Sequence, residues 1–186
     1  MSKTSAPIYQ VKITLKHSKP LIWRRLLISS ETTLAQLHDI IQTAMGWYDS
    51  HLHVFNIHDE RYSIPHDEDH LLELDARDSR RMKLSKLIST EGEKFTYEYD
   101  FGDFWEHVIQ IEKILPPDPK QKLPVCIKGE RACPPEDVGG VWGYDTFLEA
   151  IKDPKHPEHK MYIEWIDGEF DPEAFDLDAI NRMLLI

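Results

Sequence analysis

Hydrophobic and polar residues alternate along the first ordered stretch of the chain. Val11, Ile13 and Leu15 stand against Lys12, Thr14 and Lys16, a period of two that predicts a half-buried strand over Ile8–Leu15. Ser18-Lys19-Pro20 supplies a turn, and residues 21–28 predict a second, antiparallel strand. The period then lengthens. Leu34, Leu37, Ile40, Ile41 and Ala44 share one helical face, Thr33 and Gln36 form a capping box before them, and Gly46 offers a left-handed stop. Trp47 and Tyr48 follow, placed to pack under the helix end.

Residues 51–57 return to a period of two, with His51, His53, Phe55 and Ile57 on one face. Residues 58–70 read as a polar loop, 71–74 as a short strand, and Leu84, Leu87 and Ile88 as a short helix ending near Gly92. Phe95, Tyr97 and Tyr99 alternate with Thr96 and Glu98, an aromatic strand. Asp100-Phe101-Gly102-Asp103 is a turn, with Gly102 as the residue expected at positive φ, and residues 104–114 complete a hairpin. Pro116-Pro117-Asp118-Pro119 breaks the chain. Residues 125–127 predict one more short strand, and 130–143, with two prolines and three glycines, an irregular loop. The last third is helical in spacing. Phe147, Leu148 and Ile151 mark one helix, and Pro157 opens another with Met161, Trp165 and Ile166 facing in. Asp171-Pro172 reads as an N-cap with a first-turn proline, and residues 177–185 as a final helix.

Strands first and helices last predict an α+β fold. A mainly antiparallel sheet carries helices on one face, with a helix-rich C-terminal third, in a single domain over residues 1–186. Composition narrows the class. Of 186 residues, 41% are hydrophobic and 30% charged, a globular mix and not a disordered one. No apolar run approaches the roughly 20 residues of a membrane helix, and the opening MSKTSAPIYQ has no apolar leader. A cytoplasmic protein with no membrane partner is expected, its two cysteines, Cys126 and Cys133, being free thiols. The formal charge of −11 opposes phosphate backbones, and ten histidines make that charge sensitive to pH near 6.5.

Histidines and carboxylates carry the candidate chemistry. His51 and His53 stand about 7 Å apart on one strand face, and Asp100, Asp103 and His107 surround the hairpin turn. Together these five are candidate ligands for a divalent cation, the cofactor such a set would take. The commoner use of such histidines is hydrogen bonding to carboxylates or loop carbonyls. In the Pro134-Pro135-Glu136-Asp137 segment, Glu136 and Asp137 are candidates for a general base or a metal ligand, or for caps of the helix containing Phe147. His66-Asp67-Glu68-Asp69-His70 offers a further acidic loop. The basic clusters are Trp23-Arg24-Arg25 and the 77–83 stretch with Arg80 and Arg81, where aromatic and guanidinium groups could stack on bases and hold phosphates. Asp100-Phe101-Gly102 matches the magnesium-binding triplet of protein kinases, but no glycine-rich phosphate loop or His-Arg-Asp loop accompanies it.

Several segments in order resemble the plasmid pRiA4b open-reading-frame-three-like family. They are Ile22-Trp23-Arg24-Arg25, Leu37-His38-Asp39-Ile40-Ile41-Gln42, Met45-Gly46-Trp47 and Ser50-His51-Leu52-His53-Val54-Phe55. Tyr97-Glu98-Tyr99-Asp100-Phe101-Gly102-Asp103-Phe104-Trp105-Glu106-His107, Cys133-Pro134-Pro135-Glu136-Asp137-Val138-Gly139-Gly140 and Phe170-Asp171-Pro172-Glu173 complete the match. The resemblance implies one compact α+β domain. It brings a transposon-resolvase label and DNA-binding fusions in some relatives, and no established catalytic residues. The label fails on chemistry. A resolvase sets a nucleophile among several arginines, whereas here arginines are scattered and only His58-Asp59-Glu60-Arg61 matches a recombinase fragment. The expectation is a non-catalytic binding or interaction module with a protein or nucleic-acid partner, linked to mobile-element or nucleic-acid proteins. The alternative is a metal-dependent hydrolase of phosphoester type.

Overall fold

The structure is a computed structural model that describes residues 6–65 and 70–185. Its centre is an eight-stranded sheet in the order β5-β4-β3-β6-β7-β1-β2-β8. The strands are β1 (Ile8–Leu15), β2 (Trp23–Ser29), β3 (His53–Ile57), β4 (Glu60–Ser63), β5 (Arg77–Asp78), β6 (Lys94–Tyr99), β7 (Trp105–Leu115) and β8 (Val125–Glu130). Every pairing is antiparallel except that of β4 with β5. The helices are α1 (Leu34–Met45), α2 (His70–Glu73), α3 (Leu84–Leu87), α4 (Gly140–Lys152), α5 (His159–Ile166) and α6 (Leu177–Leu184). The fold is α+β, as the change of period along the chain requires, and no described helix is long and apolar enough to cross a membrane.

The sheet has one dry face and one wet face. Val11, Ile13 and Leu15 of β1, Phe95, Tyr97 and Tyr99 of β6, and Trp105, Ile109 and Ile111 of β7 are buried on the helix-covered side. Their alternates carry polar side chains that pair across strands. Arg25 forks onto Glu112 at 2.5 and 2.7 Å, Gln10 donates to the same carboxylate, and Lys16 meets Glu106. Alternation thus settles which face takes the helices, because a one-residue slip would bury this ion-pair ladder. The far edge is closed by a side chain. The Asn181 amide of α6 both accepts the Cys126 N–H and donates to the Cys126 carbonyl of β8, so it blunts an edge open to further pairing.

Helix α1 obeys its sequence signals. Thr33 Oγ1 accepts the Gln36 N–H, Gln36 Oε1 accepts the Thr33 N–H, and Gly46 sits at φ 92° as the left-handed cap. Elsewhere local pattern yields to packing. The 58–70 loop contains β4, whose Tyr62 and Ser63 are buried beside β3. The strand expected at 71–74 is helix α2, four residues long. The hairpin turn takes positive φ at Asp100 (58°) and Phe104 (54°), and not at Gly102. In α5 Tyr162 and Ile166 pack against the core, while Met161 and Trp165 are about half exposed, the Trp165 ring meeting the buried Phe147 edge-on. Asp171-Pro172 is a turn and not a helix start. The N-cap lies at Asp176, whose side chain accepts the Ala179 N–H. The 130–143 loop ends at Gly140, where α4 begins. The acidic stretch 66–69 lies outside the described residues.

Candidate metal centre

Three chain segments meet at one end of the sheet. Tyr99 ends β6, and Asp100 turns the chain toward β7 while its N–H bonds the Leu52 carbonyl ahead of β3. His51 therefore lies beside Asp100. The third segment is the 134–137 loop, held from below by two aromatic side chains. Trp47 donates its indole N–H to the Pro134 carbonyl at 3.0 Å, and Tyr99 donates its hydroxyl to Glu136 Oε1 at 2.7 Å. Glu136 Oε1 also accepts the Tyr48 N–H at 3.0 Å. So fixed, the loop presents Asp137.

His51 Nε2 lies 3.0 Å from Asp137 Oδ1 and 3.6 Å from Asp100 Oδ2. One ligand atom from each of the three falls within 4.8 Å of the others. Ligand atoms about 2.1 Å from a cation stand roughly 3–3.5 Å apart around it, so this spacing suits a first-row divalent ion. The other oxygen of Asp100 accepts the Gly102 N–H at 2.8 Å, which orients the carboxylate. Asp100 and Asp137 both hold positive φ, at 58° and 60°, a conformation that Asp tolerates better than most residues. Asp100 is buried, whereas His51 is partly exposed and Asp137 exposed, so the cluster opens to solvent on one side.

Beside it lies a cavity of about 440 Å³, lined by His38, Asp49, His51, His53 and Ser63 among others. Its floor is a closed hydrogen-bond chain. Asp49 Oδ1 is 2.8 Å from His38 Nε2, and a carboxylate only accepts, so that nitrogen carries the proton. His38 Nδ1 then accepts the Tyr97 hydroxyl at 2.7 Å, and Tyr97 in turn accepts the Gln42 side-chain N–H at 2.9 Å. Gln42 Oε1 closes the ring on the Asp49 N–H. Burial holds the His38 pKa below its ordinary value and pushes that of Tyr97 far up, so both are neutral. The His53 ring stacks on His38 with centroids 3.6 Å apart.

The expected ligands therefore separate. His51 and Asp100 come together and Asp137 joins them, whereas His53, Asp103 and His107 point elsewhere. His53 packs among His38, Phe55 and Tyr97. Asp103 Oδ2 accepts the Gly139 N–H just ahead of α4, and neither Glu136 nor Asp137 caps that helix, whose first turn has no side-chain cap bond. His107 is wholly buried and gives its Nδ1–H to the Tyr97 carbonyl at 3.3 Å. Burial lowers its pKa to about 4. Sequence reasoning passed over His38, Gln42 and Asp49. Their signal was present: two polar residues one turn apart on the buried stripe of an amphipathic helix must find polar partners.

The basic clusters are spent internally. Arg24 is buried and donates to the carbonyls of Ala44, Trp23 and Glu130, while Trp23 donates its indole N–H to Glu130. Arg25 is paired with Glu112, and Arg80 with Asp78. Of the five candidates for nucleic acid, Arg81 alone lacks an ion pair or a ring contact among the described residues.

Comparison with known proteins places this arrangement among proteins of undefined activity. A family model described as plasmid pRiA4b ORF-3-like protein matches residues 7–179. A curated relative, the uncharacterised protein y4hQ of Sinorhizobium fredii (strain NBRC 101917 / NGR234), is 38% identical over 178 residues, which is 95% of this chain and 90% of the relative. The crystal structure of a protein of unknown function, MM3350 from Methanosarcina mazei Go1, superposes with a TM-score of 0.85 at 36% identity. The match covers 94% of this chain and 98% of that one.

Proposed function

This chain belongs to the plasmid pRiA4b ORF-3-like protein family, and we propose that it is a cytoplasmic binding module organised around a divalent cation held by His51, Asp100 and Asp137. The convergence of one imidazole and two carboxylates from three separate segments is the observation that carries this reading. One nitrogen and two oxygens suit manganese, iron or zinc, and leave coordination positions for water or a ligand entering the adjoining cavity. Two free cysteines, Cys126 and Cys133, fit a reducing compartment.

Calorimetric titration of tag-free protein with manganese or zinc tests the site. One ion should bind per chain. His51→Ala or Asp100→Asn should weaken binding about tenfold or more, whereas His53→Ala should leave it within about twofold. Equal affinity in the His51 variant would remove the site.

A second reading, metal-dependent hydrolysis, is favoured by His51 lining both the cluster and the cavity, so that a cation-activated water would face whatever the cavity holds. Binding is preferred to it on electrostatic grounds. Among the described residues no lysine or arginine lines that cavity to hold a phosphoester, and Glu136 already accepts two hydrogen bonds on one oxygen. Turnover of generic phosphodiesters that vanishes in His51→Ala would reverse the preference.

A further inference from the structure

A second cleft, of about 610 Å³, opens on the other side of the 136–140 segment, lined by Asp103, Phe104, Gly140, Trp142 and Asp145 among others. We propose that it docks a basic, extended segment of a partner protein, taking an arginine or lysine side chain between Phe104 and Trp142. This goes beyond cation binding at His51 and uses different side chains.

The most exposed aromatic rings among the described residues are Trp142 at 85%, Tyr48 at 84% and Phe104 at 65%. All three flank the same segment. Tyr48 bonds Glu136 on one side, and Asp103, next to Phe104, bonds Gly139 on the other, while Trp142 stands in the first turn of α4. Neighbouring exposed aromatics are the usual anchors of protein interfaces, and Phe104 and Trp142 both line this cleft. Phe104 is held outward by a left-handed backbone at φ 54° that a bulky residue rarely adopts. The segment is also rigidly seated: a Cβ on Gly140 would stand 2.5 Å from the Asp103 carbonyl oxygen.

Charge selects the occupant. Asp103, Glu106 and Asp145 line the cleft with Lys19 and His17, and Glu106 is matched by Lys16. The start of α4, which would otherwise favour an anion, already receives the Asp103 carboxylate at Gly139. What remains is a net negative rim around two aromatic faces, on a chain of charge −11, which attracts a guanidinium or ammonium.

Fluorescence anisotropy with a labelled peptide of alternating arginine and glycine tests the proposal. Its glutamate-for-arginine counterpart, spermidine and a DNA duplex are the comparison probes. The arginine peptide should bind and the glutamate peptide should not. Trp142→Ala should weaken binding about tenfold, and Phe104→Asn, which keeps a residue tolerant of that backbone, about fivefold. Asp145→Asn should weaken it about threefold, and His51→Ala should leave it unchanged. Circular dichroism melts should coincide for the Trp142, Phe104 and Asp145 variants, whose altered side chains are exposed. No binding, unchanged affinity in Trp142→Ala, or equal binding of the glutamate peptide would overturn the proposal. So would spermidine or DNA binding more tightly than the peptide with the same dependence on Trp142. Loss of cation binding at His51 leaves it standing.

Discussion

Histidines serve two ends in this molecule, one below the cavity and one on its rim. Below, His38 and His107 are buried among rings, each tautomer set by a neighbour that can only accept: Asp49 for one, the Tyr97 carbonyl for the other. On the rim, His51 faces two carboxylates and solvent. Burial makes the first kind neutral and structural. Partial exposure beside the Asp100 and Asp137 carboxylates suits the second to the proposed cation site. The same side chain becomes scaffold or site according to whether its nitrogens are already committed.

The largest test of this contrast is pH. His107 has a folded pKa of about 4 against an ordinary 6.5, so the fold favours its neutral form. Its contribution is complete above pH 6.5, falls as pH drops from there, and is exhausted near pH 4. Over that window it amounts to about 3 kcal/mol. His38, lowered in the same direction by burial, adds to the slope. Urea melts at pH 7, 6, 5 and 4 should show the decline. His107→Asn places an amide N–H where Nδ1–H stood, and should be less stable at pH 7 yet lose less on acidification. Parallel slopes for the two proteins would contradict the assignment.

Next in size is Tyr97→Phe. The hydroxyl donates to His38 and accepts from Gln42, both buried, so its loss leaves two polar atoms without partners at once. The expected cost is about 2 kcal/mol by denaturant titration, with the rim's cation affinity little changed. A change below about 0.5 kcal/mol would mean that water replaces the hydroxyl.

Legibility along the chain followed the same division. The first strands, α1 with its caps and the aromatic hairpin were readable because alternation and capping are local. Helix α2 and strand β4 were not, since Tyr62 and Ser63 take strand form by pairing with β3, a partner that no window of sequence contains. At the site, His51 and Asp100 could be named because strand and turn place them next to each other. His53 could not be separated from His51 by period alone. Both lie on one face, but the helix α1 side chain His38 covers the former through tertiary packing that no local pattern encodes. Asp137 was visible as a carboxylate after two prolines, yet its position depends on Trp47 and Tyr99 reaching up to the loop, contacts separated by 87 and 37 positions.

The smallest expected change in stability is at the rim, and it is the most discriminating. His51 is partly exposed, and its imidazole has no hydrogen bond that the core depends on, only the approach of Asp100 and Asp137 and an edge-on contact with the Tyr99 ring. Two carboxylates facing one another gain from a cation between them and lose little when the imidazole leaves, because Asp137 turns to water. His51→Ala should therefore shift stability by less than about 0.5 kcal/mol in metal-free buffer. With manganese or zinc at a hundredfold excess of free ion over the wild-type Kd, the wild type should gain about 2.7 kcal/mol, and the more weakly binding variant correspondingly less. Paired melts with and without the ion measure that difference. A large loss in metal-free buffer would make His51 a scaffold residue like His38, and the distinction between floor and rim would collapse.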